Sequence, residues 1–282
     1  MNEIYKLYKE TLPDIVRNEE IIKAILGNPN NHIIRHEVDG RMIGVSMIGD
    51  HTNYLICVDK SFQCKGIGTA LLRESEEYIV AAGFDKIVLG AVKEYIMPGV
   101  PMNHGAHHFF EKRGYNHSWG DMRCVDMGQD LRDFQYDAHS VGDTINGITY
   151  RWAKIDDLDN VLLSLSDNQE DFSAYYQNRN CYKEESKERV LIAERDNEVM
   201  GTLAIFIESD QIEMGSLGLM ATARQHRNQG IATTLVTLAT KYLKDVGMKR
   251  VHGGYTYSDL IGMYGRTGLN VCMDYFMGEK VF

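Results

Sequence analysis

The sequence predicts an α/β (α+β) protein built from two copies of one domain in tandem, each a twisted mixed sheet flanked by helices. Three observations carry this reading. Two short segments recur in the same order: Arg41-Met42-Ile43-Gly44-Val45 is echoed by Glu198-Val199-Met200-Gly201-Thr202, and Lys65-Gly66-Ile67-Gly68-Thr69 by Gln229-Gly230-Ile231-Ala232-Thr233. Their offsets are close, 201 − 44 = 157 and 230 − 66 = 164, as a diverged duplication would leave them. In both halves, strand-like alternation gives way to 3.6-residue periodicity and back, the order of an α/β domain. Finally, 282 residues with 44% hydrophobic content hold enough apolar material for a core in each half.

The elements follow in order. Glu3 to Leu26 carries helical apolar spacing with a break near Pro13, and Asn28-Pro29-Asn30-Asn31 is a turn cluster. His32 to Glu37 and Met42 to Ile48 read as paired strands joined through Val38-Asp39-Gly40-Arg41. Asn53 to Val58 is an apolar strand. Gly66 to Ala82 is an amphipathic helix that Gly83 caps. Lys86 to Ala91 is a strand, and Ala106 to Arg113 a short helix ending at Gly114. The second half repeats the plan. Ile148 to Ala153 is a strand, Ile155 to Asn178 mostly helix, and Arg189 to Glu194 with Val199 to Glu208 a hairpin across Asp196-Asn197. Gly215 to Ala221 is a strand, Gly230 to Val246 a helix ending at Gly247, Lys249 to Tyr255 a strand, Leu260 to Thr267 a helix, and Val271 to Met277 a closing strand. The first half lacks a counterpart of the strand at Ile148. The boundary is expected in the polar stretch after Leu131, giving domains 1–130 and 147–282 with a linker at 131–146.

Bulk properties narrow the function. A formal net charge of −10 argues against a non-specific nucleic-acid binder, which needs a basic face. It suits a cationic acceptor but is first of all a solubility property. The five cysteines (Cys57, Cys64, Cys124, Cys181 and Cys272) are odd in number, widely spaced and without CxxC, which fits reduced thiols in a cytoplasm. Met1 to Lys9 is too polar for a signal peptide, and no apolar run approaches the ~18 residues of a membrane span. The expected setting is cytoplasmic, with no nucleic-acid or membrane partner, as a monomer or homodimer.

The chemistry lies where an apolar strand ends and a glycine-rich turn opens a helix, at Val58 to Gly68 and again at Thr222 to Ala232. Main-chain N–H groups of such a turn and of the first helical turn lack intrahelical partners, and the helix dipole adds partial positive charge, so the place suits an anion. Glycine lets the backbone approach a phosphate. A Rossmann site would need a third glycine and an acidic residue about 20 positions on, and a P-loop would need GK[ST]. Neither half has them.

Each segment resembles the pyrophosphate loop of the GNAT superfamily, Gln/Arg-x-x-Gly-x-Gly/Ala, matched here by Gln63, Gly66 and Gly68 and by Arg227, Gly230 and Ala232. Pro98-Gly99-Val100-Pro101 and Phe109 to Tyr115 also look like segments of tandem bacterial members. The resemblance implies acetyl-CoA as cofactor. Its pyrophosphate would be held by Gln63, Cys64, Lys65, Gly66, Ile67, Gly68 and Thr69 in the first half, and by Arg227, Asn228, Gln229, Gly230, Ile231, Ala232 and Thr233 in the second. The pantetheine arm would lie along Ile56, Cys57 and Val58, or Met220, Ala221 and Thr222.

In this family an amine attacks the thioester, a backbone N–H of the splayed strand takes the oxyanion, and an acid protonates the departing thiolate. That acid is often a tyrosine in the last helix. Tyr264 holds the position in the second half; the first half has Phe110, which cannot donate a proton. The C-terminal half is therefore expected to be catalytic, with Tyr264 as acid. Glu213 is the first choice of general base and Glu208 the second, with a solvated strand-end carboxylate as the alternative for both. His252 lies near the entry of substrate, though a strand histidine is more often packed. Tyr255-Thr256-Tyr257-Ser258-Asp259 should border the acceptor cleft, where aromatics and a carboxylate suit a cation, or form an ordinary packed loop. His104, His107 and His108 have metal-compatible spacing, but no carboxylate or cysteine completes a set, so no metal is expected and they line a pocket mouth or cap the helix. Tyr95, Pro98 and Pro101 form a stiff loop over the first acceptor side, with Trp119 packed nearby.

The function expected is N-acetylation of a small-molecule amine. The alternatives are an acyl-CoA-binding sensor or scaffold, which Phe110 favours for the first half and Tyr264 disfavours for the second, and a protein N-acetyltransferase.

Overall fold

The computed structural model of the chain describes residues 3–15, 19–90, 96–103, 105–132, 134–135, 139–165, 170–207 and 213–282. Two compact units form, and they do not divide where the sequence suggests. Unit 1 is Met1–Val125 with Met273–Phe282, and unit 2 is Asp126–Cys272. The difference comes with two strands to which the sequence reading assigns no element, Cys124–Asp130 and Gly278–Val281.

Unit 1 opens with helices α1 (Glu3–Thr11) and α2 (Glu19–Gly27), separated by a 3-10 turn at Pro13–Ile15, where the proline ends the first helix. The hairpin β1 (Asn31–Val38) and β2 (Arg41–Gly49) turns at Asp39 and Gly40, both with positive φ (51° and 72°), as a two-residue turn between right-twisted strands requires. Then come β3 (Thr52–Val58), α3 (Ile67–Ala81), β4 (Lys86–Leu89), β5 (Val100–Pro101), α4 (His107–Glu111), β6 (Asn116–His117) and β7 (Cys124–Asp130). β1, β2 and β3 are antiparallel neighbours, and β3 pairs in parallel with β4 at Thr52↔Val88 and Asn53↔Leu89.

Unit 2 contains β8 (Thr144–Ile145), β9 (Ile148–Trp152), α5 (Leu158–Ser164), α6 (Glu170–Tyr176), β10 (Glu188–Arg195), β11 (Glu198–Ile207), β12 (Met214–Thr222), α7 (Ile231–Asp245), β13 (Arg250–Tyr257), α8 (Ile261–Gly265) and the first three residues of β14 (Asn270–Phe276). The β10–β11 hairpin turns at Asp196 and Asn197 (φ 52° and 64°), the same device as in unit 1. The last strand, β15 (Gly278–Val281), returns to unit 1. It pairs antiparallel with β4 (Glu279↔Val88) and with β6 (Glu279↔Asn116), so the first sheet runs β1-β2-β3-β4-β15-β6. Gly278 is needed there, because a Cβ would lie 2.6 Å from the Phe276 ring and 2.7 Å from Leu89 Cδ1. In unit 2 the order is β8-β9-β10-β11-β12-β13-β7-β14, with residues 126–130 of β7 seated between β13 and β14.

The faces of the second sheet follow from strand alternation. Ser216 pairs with Phe206 on one side and His252 on the other, so these three share a face. It is the face of α5 and α6, whose Val161 and Tyr176 join a core with Val190, Ile192 and Ala204 against which Phe206 packs. The opposite face carries Gly215, where a Cβ would meet Leu243 of α7 at 2.3 Å, and Leu217 with Gly253. No helix among the described residues is long and apolar enough to cross a membrane.

Candidate active site

Both glycine-rich segments adopt one backbone, residue for residue at an offset of 164. Gln63 Nε2 donates to Val58 O (3.0 Å), and Arg227 Nε donates to Thr222 O (3.2 Å). Cys64 and Asn228 have φ of 59° and 63°, and Gly66 and Gly230 follow at 88° and 80° as N-caps of α3 and α7. Neither glycine brings a capping side chain, and above both there is open space where a Cβ would stand. A 15-residue helix whose first N–H groups face such a cradle is built for an anion. The residues therefore fit a pyrophosphate in each unit.

The surroundings of the two loops differ. In unit 1, Cys64, Lys65 and Gly66 are exposed, Ile67 and Gly68 are half-buried, and Gly68 faces the Phe109 ring. Arg113 lies over that ring (3.8 Å to the centroid) and donates to Thr69 Oγ1 at 2.8 Å. Asp59 caps the turn before the loop. It accepts from the Ser61 hydroxyl (2.5 Å) and N–H (2.8 Å) and pairs with Arg41, and together these hold its carboxyl below the usual aspartate range. Ile56 and Val58 are half-buried; Cys57 points into the core, and burial pushes its thiol up to about 12. In unit 2, Arg227, Asn228, Gln229 and Gly230 are exposed, Ile231 is buried, and Ala232 and Thr233 are half-buried at the helix start. Met220 and Thr222 are half-buried, and Ala221 is in the core.

The echo of Gly44 in Gly201 now has its physical reason. A Cβ on Gly44 would lie 3.0 Å from both Ile67 Cγ2 and Leu71 Cδ1, and one on Gly201 2.9 Å from Ile231 Cγ2 and 3.1 Å from Ala221 O. Each glycine is where α3 or α7 rests its first turn on the neighbouring strand.

Beyond the loop, unit 2 opens. β12 and β13 pair in parallel from Met214↔Arg250 to Leu217↔Gly253, after which β12 runs on to Thr222 and β13 to Tyr257 without pairing with each other. On its other side β12 carries a bulge: Ala204 pairs with Gly218 and Thr202 with Ala221, leaving Leu219 and Met220 opposite Leu203, with Leu219 at φ 52°. Tyr176 Oη donates to Leu219 O (2.6 Å) and fixes the bulge from the α6 side. In unit 1 the corresponding parallel pairing ends at Leu89, while β3 continues to Val58.

Tyr264 sits at the opening of unit 2. It is 5% exposed, its ring lies 3.9 Å from a Cβ position on Gly253, and burial pushes its hydroxyl up to about 12. Its carbonyl is tied down by Thr267 Oγ1 (2.7 Å), which fixes the helix end. Phe110, the corresponding residue of unit 1, is a core residue stacked edge-on against Phe109 and Tyr115 (5.0 and 5.6 Å).

Glu213 is not brought to the opening. It precedes β12, four residues before Leu217, or about 13 Å along a strand. It is paired there with Lys249 (2.6 Å), and its carbonyl accepts Lys249 N (2.9 Å). The sequence places it correctly before the strand but does not show that the strand opens at its other end. Glu208, the second choice, lies outside the described residues, as do His104 and Tyr95.

His252, in contrast, has a partner that the sequence reading misses. Asp126 Oδ2 lies 2.9 Å from His252 Nε2, with side-chain exposures of 4% and 12%. Asp126 Oδ1 accepts the N–H of Tyr255, whose φ is 56°. Tyr255 and Tyr257 stand edge-on, 6.1 Å apart, and Asp259 is exposed. The carboxylate that the histidine cluster of α4 lacks in sequence is Glu111: His107, His108 and Glu111 bring one ligand atom each within 4.8 Å of one another, and His108 Nδ1 lies 2.7 Å from Glu111 Oε2.

The acetyltransferase (GNAT) family model matches the chain twice, over residues 1–115 and 152–268. No curated protein matches it. Among solved structures, a GCN5-related N-acetyltransferase from Sphaerobacter thermophilus aligns at TM-score 0.71 and 16% identity, over 99% of this chain and 91% of that one. A tandem GNAT protein from the clavulanic acid biosynthesis pathway aligns at 0.70 and 14%, over 99% and 94%. A GCN5-related glucosamine N-acetyltransferase region of a fungal multi-domain β-N-acetylglucosaminidase aligns at 0.75 and 19%, over 98% of this chain but only 36% of that longer one. The two loops, the opened strands and the double match agree: the chain belongs to the acetyltransferase (GNAT) family, with two copies of its domain in tandem.

Proposed function

We propose that the protein is an acetyl-CoA-dependent N-acetyltransferase that moves an acetyl group directly to the amine of a small molecule, with the chemistry in unit 2. The observation that carries this is Tyr264, buried against Gly253 where β12 and β13 part. A glucosamine N-acetyltransferase region and a protein of clavulanic acid biosynthesis among the similar structures support a small acceptor.

Bound acetyl-CoA would supply the thioester whose acetyl group is transferred. The N–H groups from Arg227 to Thr233 would hold the diphosphate, and Met220 to Thr222 would offer main-chain partners to the arm that follows. The bulge at Leu219 and Met220, locked by Tyr176, leaves main-chain groups of β12 outside the ladder, and an N–H there would be the donor for the developing oxyanion. Tyr264 is protonated at neutral pH, its hydroxyl pushed further up to about 12 by burial, and it would give its proton to the departing sulfur. Unit 1 holds the same cofactor without an acid at the corresponding place, because Phe110 is committed to the core, which favours a binding or scaffolding role for that unit.

The test is CoA release from acetyl-CoA across a panel of amines, read chromatographically because the chain carries five cysteines of its own. Tyr264→Phe should keep acetyl-CoA binding and lose turnover by roughly 10²–10⁴-fold. Unchanged turnover in the variant would remove Tyr264 as the acid. Binding without turnover of any amine by the wild type would leave the sensor reading for the whole chain.

A further inference from the structure

With Glu213 at the closed end of β12, the amine still needs a group to take its proton. The Asp126–His252 pair stands where such a group would have to be. His252 is one residue before Gly253, the last β13 residue paired with β12, so it borders the opening. Its side chain shares a face with Ser216 and Phe206, the face of α5 and α6, whereas Tyr264 packs on the Gly253 face. The two side chains thus flank the opening from opposite faces of the sheet, one on the side of the amine and one on the side of the departing sulfur.

Three features show that the pair is built rather than incidental. Asp126 is 4% exposed, which would be costly for a carboxylate without strong partners. Its two oxygens are used separately, Oδ2 on His252 Nε2 (2.9 Å) and Oδ1 on the N–H of Tyr255 (3.1 Å). The strand is deformed to allow it. Tyr255 takes a positive φ of 56°, and a Cβ at Gly254 would sit 2.8 Å from His252 Cε1.

We infer that His252, oriented by Asp126, is the general base for the acceptor amine in unit 2. This rests on the acetyltransferase reading above. The carboxylate keeps the proton on Nε2 and leaves Nδ1 as the basic nitrogen. Nδ1 takes one proton from the ammonium form of the acceptor. The nitrogen lone pair then forms the N–C bond to the acetyl carbon, the C–S bond breaks as the sulfur takes the Tyr264 proton, and the nitrogen releases its second proton to solvent to leave the neutral amide. Loss of the added proton from the His252 imidazolium to solvent, and reprotonation of Tyr264 by solvent, restore the enzyme. His252 is the catalytic residue of the pair, and Asp126 is a positioning residue.

Asp126→Asn discriminates this from a structural pair. The Tyr255 N–H needs an acceptor, so the amide oxygen stays on that side and the amide NH₂ faces Nε2. The histidine must then carry its proton on Nδ1, and the base is lost with the fold intact. In free enzyme, ¹⁵N-histidine spectra should show His252 protonated on Nε2 in the wild type and on Nδ1 in Asp126→Asn. With alkylamine acceptors, His252→Ala and Asp126→Asn should each lower kcat roughly 10²–10⁴-fold, with acetyl-CoA affinity kept. Added imidazole should partly restore His252→Ala. An aromatic amine, neutral at assay pH, should lose far less. If the wild type acetylates alkylamines and His252→Ala does so within about threefold, or if Asp126→Asn keeps the wild-type tautomer, the assignment of His252 falls while the acetyltransferase reading stands. If the wild type acetylates no amine, the underlying reading fails and this one with it.

Discussion

Replacing Gly201 by alanine tests whether the close seating of α7 is what shapes the glycine-rich turn before it. The new Cβ would lie 2.9 Å from Ile231 Cγ2, 3.1 Å from Ala221 O and 3.5 Å from Leu235 Cδ1. Carbon–carbon contacts settle near 3.5–4.0 Å, so roughly half to one ångström must be found. Ile231 is β-branched and stiff at χ1, and Ala221 O is backbone, so the side chain cannot simply swing aside. Overpacking of this kind costs about 1–3 kcal/mol. The loss of glycine's freedom in the unfolded chain returns about 0.4–1 kcal/mol, leaving a net destabilisation on the order of 1 kcal/mol and at most about 2.6 kcal/mol. Ile231 is the first residue of α7 and follows Gly230 directly, so the displacement reaches the N–H groups of the loop. Thermal unfolding should fall by a few degrees, about 2–4 °C per kcal/mol for a domain of this size. Calorimetry should show weaker acetyl-CoA binding at the unit 2 site. Gly44→Ala, with contacts of 3.0, 3.0 and 3.5 Å, should cost less and leave turnover in place. An unchanged melting temperature together with unchanged acetyl-CoA affinity in Gly201→Ala would refute the reasoning.

Two further outcomes are expected. Arg151 grips Asp157 (2.7 and 2.9 Å) and Glu194 (2.9 Å to Oε1, 2.5 Å to Oε2), and its hydrogen bonds are the main cause that lowers the Asp157 carboxyl. A carboxyl lowered in the folded state contributes stability that is complete above its ordinary value near 4 and is lost as the pH falls through the depressed one. Acid unfolding curves of Arg151→Met should therefore be flatter than wild type below about pH 4 and offset by roughly 1–3 kcal/mol at neutral pH; parallel curves would contradict this. Cys64, exposed in the first loop, should react with a thiol reagent, and acetyl-CoA should protect it if unit 1 binds the cofactor. Cys57, buried with its thiol pushed up to about 12, should not react in the folded protein. Peptide mapping after labelling reads both, and labelling of Cys64 unaffected by saturating acetyl-CoA would exclude the cradle of unit 1.

The local features were legible because local physics decides them. Gly66 and Gly230 mark left-handed N-caps, Asp39-Gly40 and Asp196-Asn197 mark two-residue turns, and Pro13 marks a helix end. Each depends on a backbone preference or a missing N–H that travels with the residue. The repeat itself was visible, and the seven residues between the offsets 157 and 164 fall at the connection from β2 to β3 against that from β11 to β12.

What the sequence could not show depends on pairing across long separations. β15 has only four residues, too few for a periodic signal, and its place beside β4 is set by edges left open nearly two hundred residues earlier. Glu213 looked suitable because a carboxylate before a strand is what the sequence displays; only the register of β12 with β13 shows that this end is closed. Asp126 and His252 are 126 positions apart, and only the insertion of β7 beside β13 makes them a pair. By itself the sequence determined the two glycine-rich turns at the helix starts and the tyrosine of the last helix, because these are fixed by neighbours along the chain. Only the tertiary structure decided where the strands part and which acidic and basic groups meet there, because a strand carries no information about its partner until the sheet has formed.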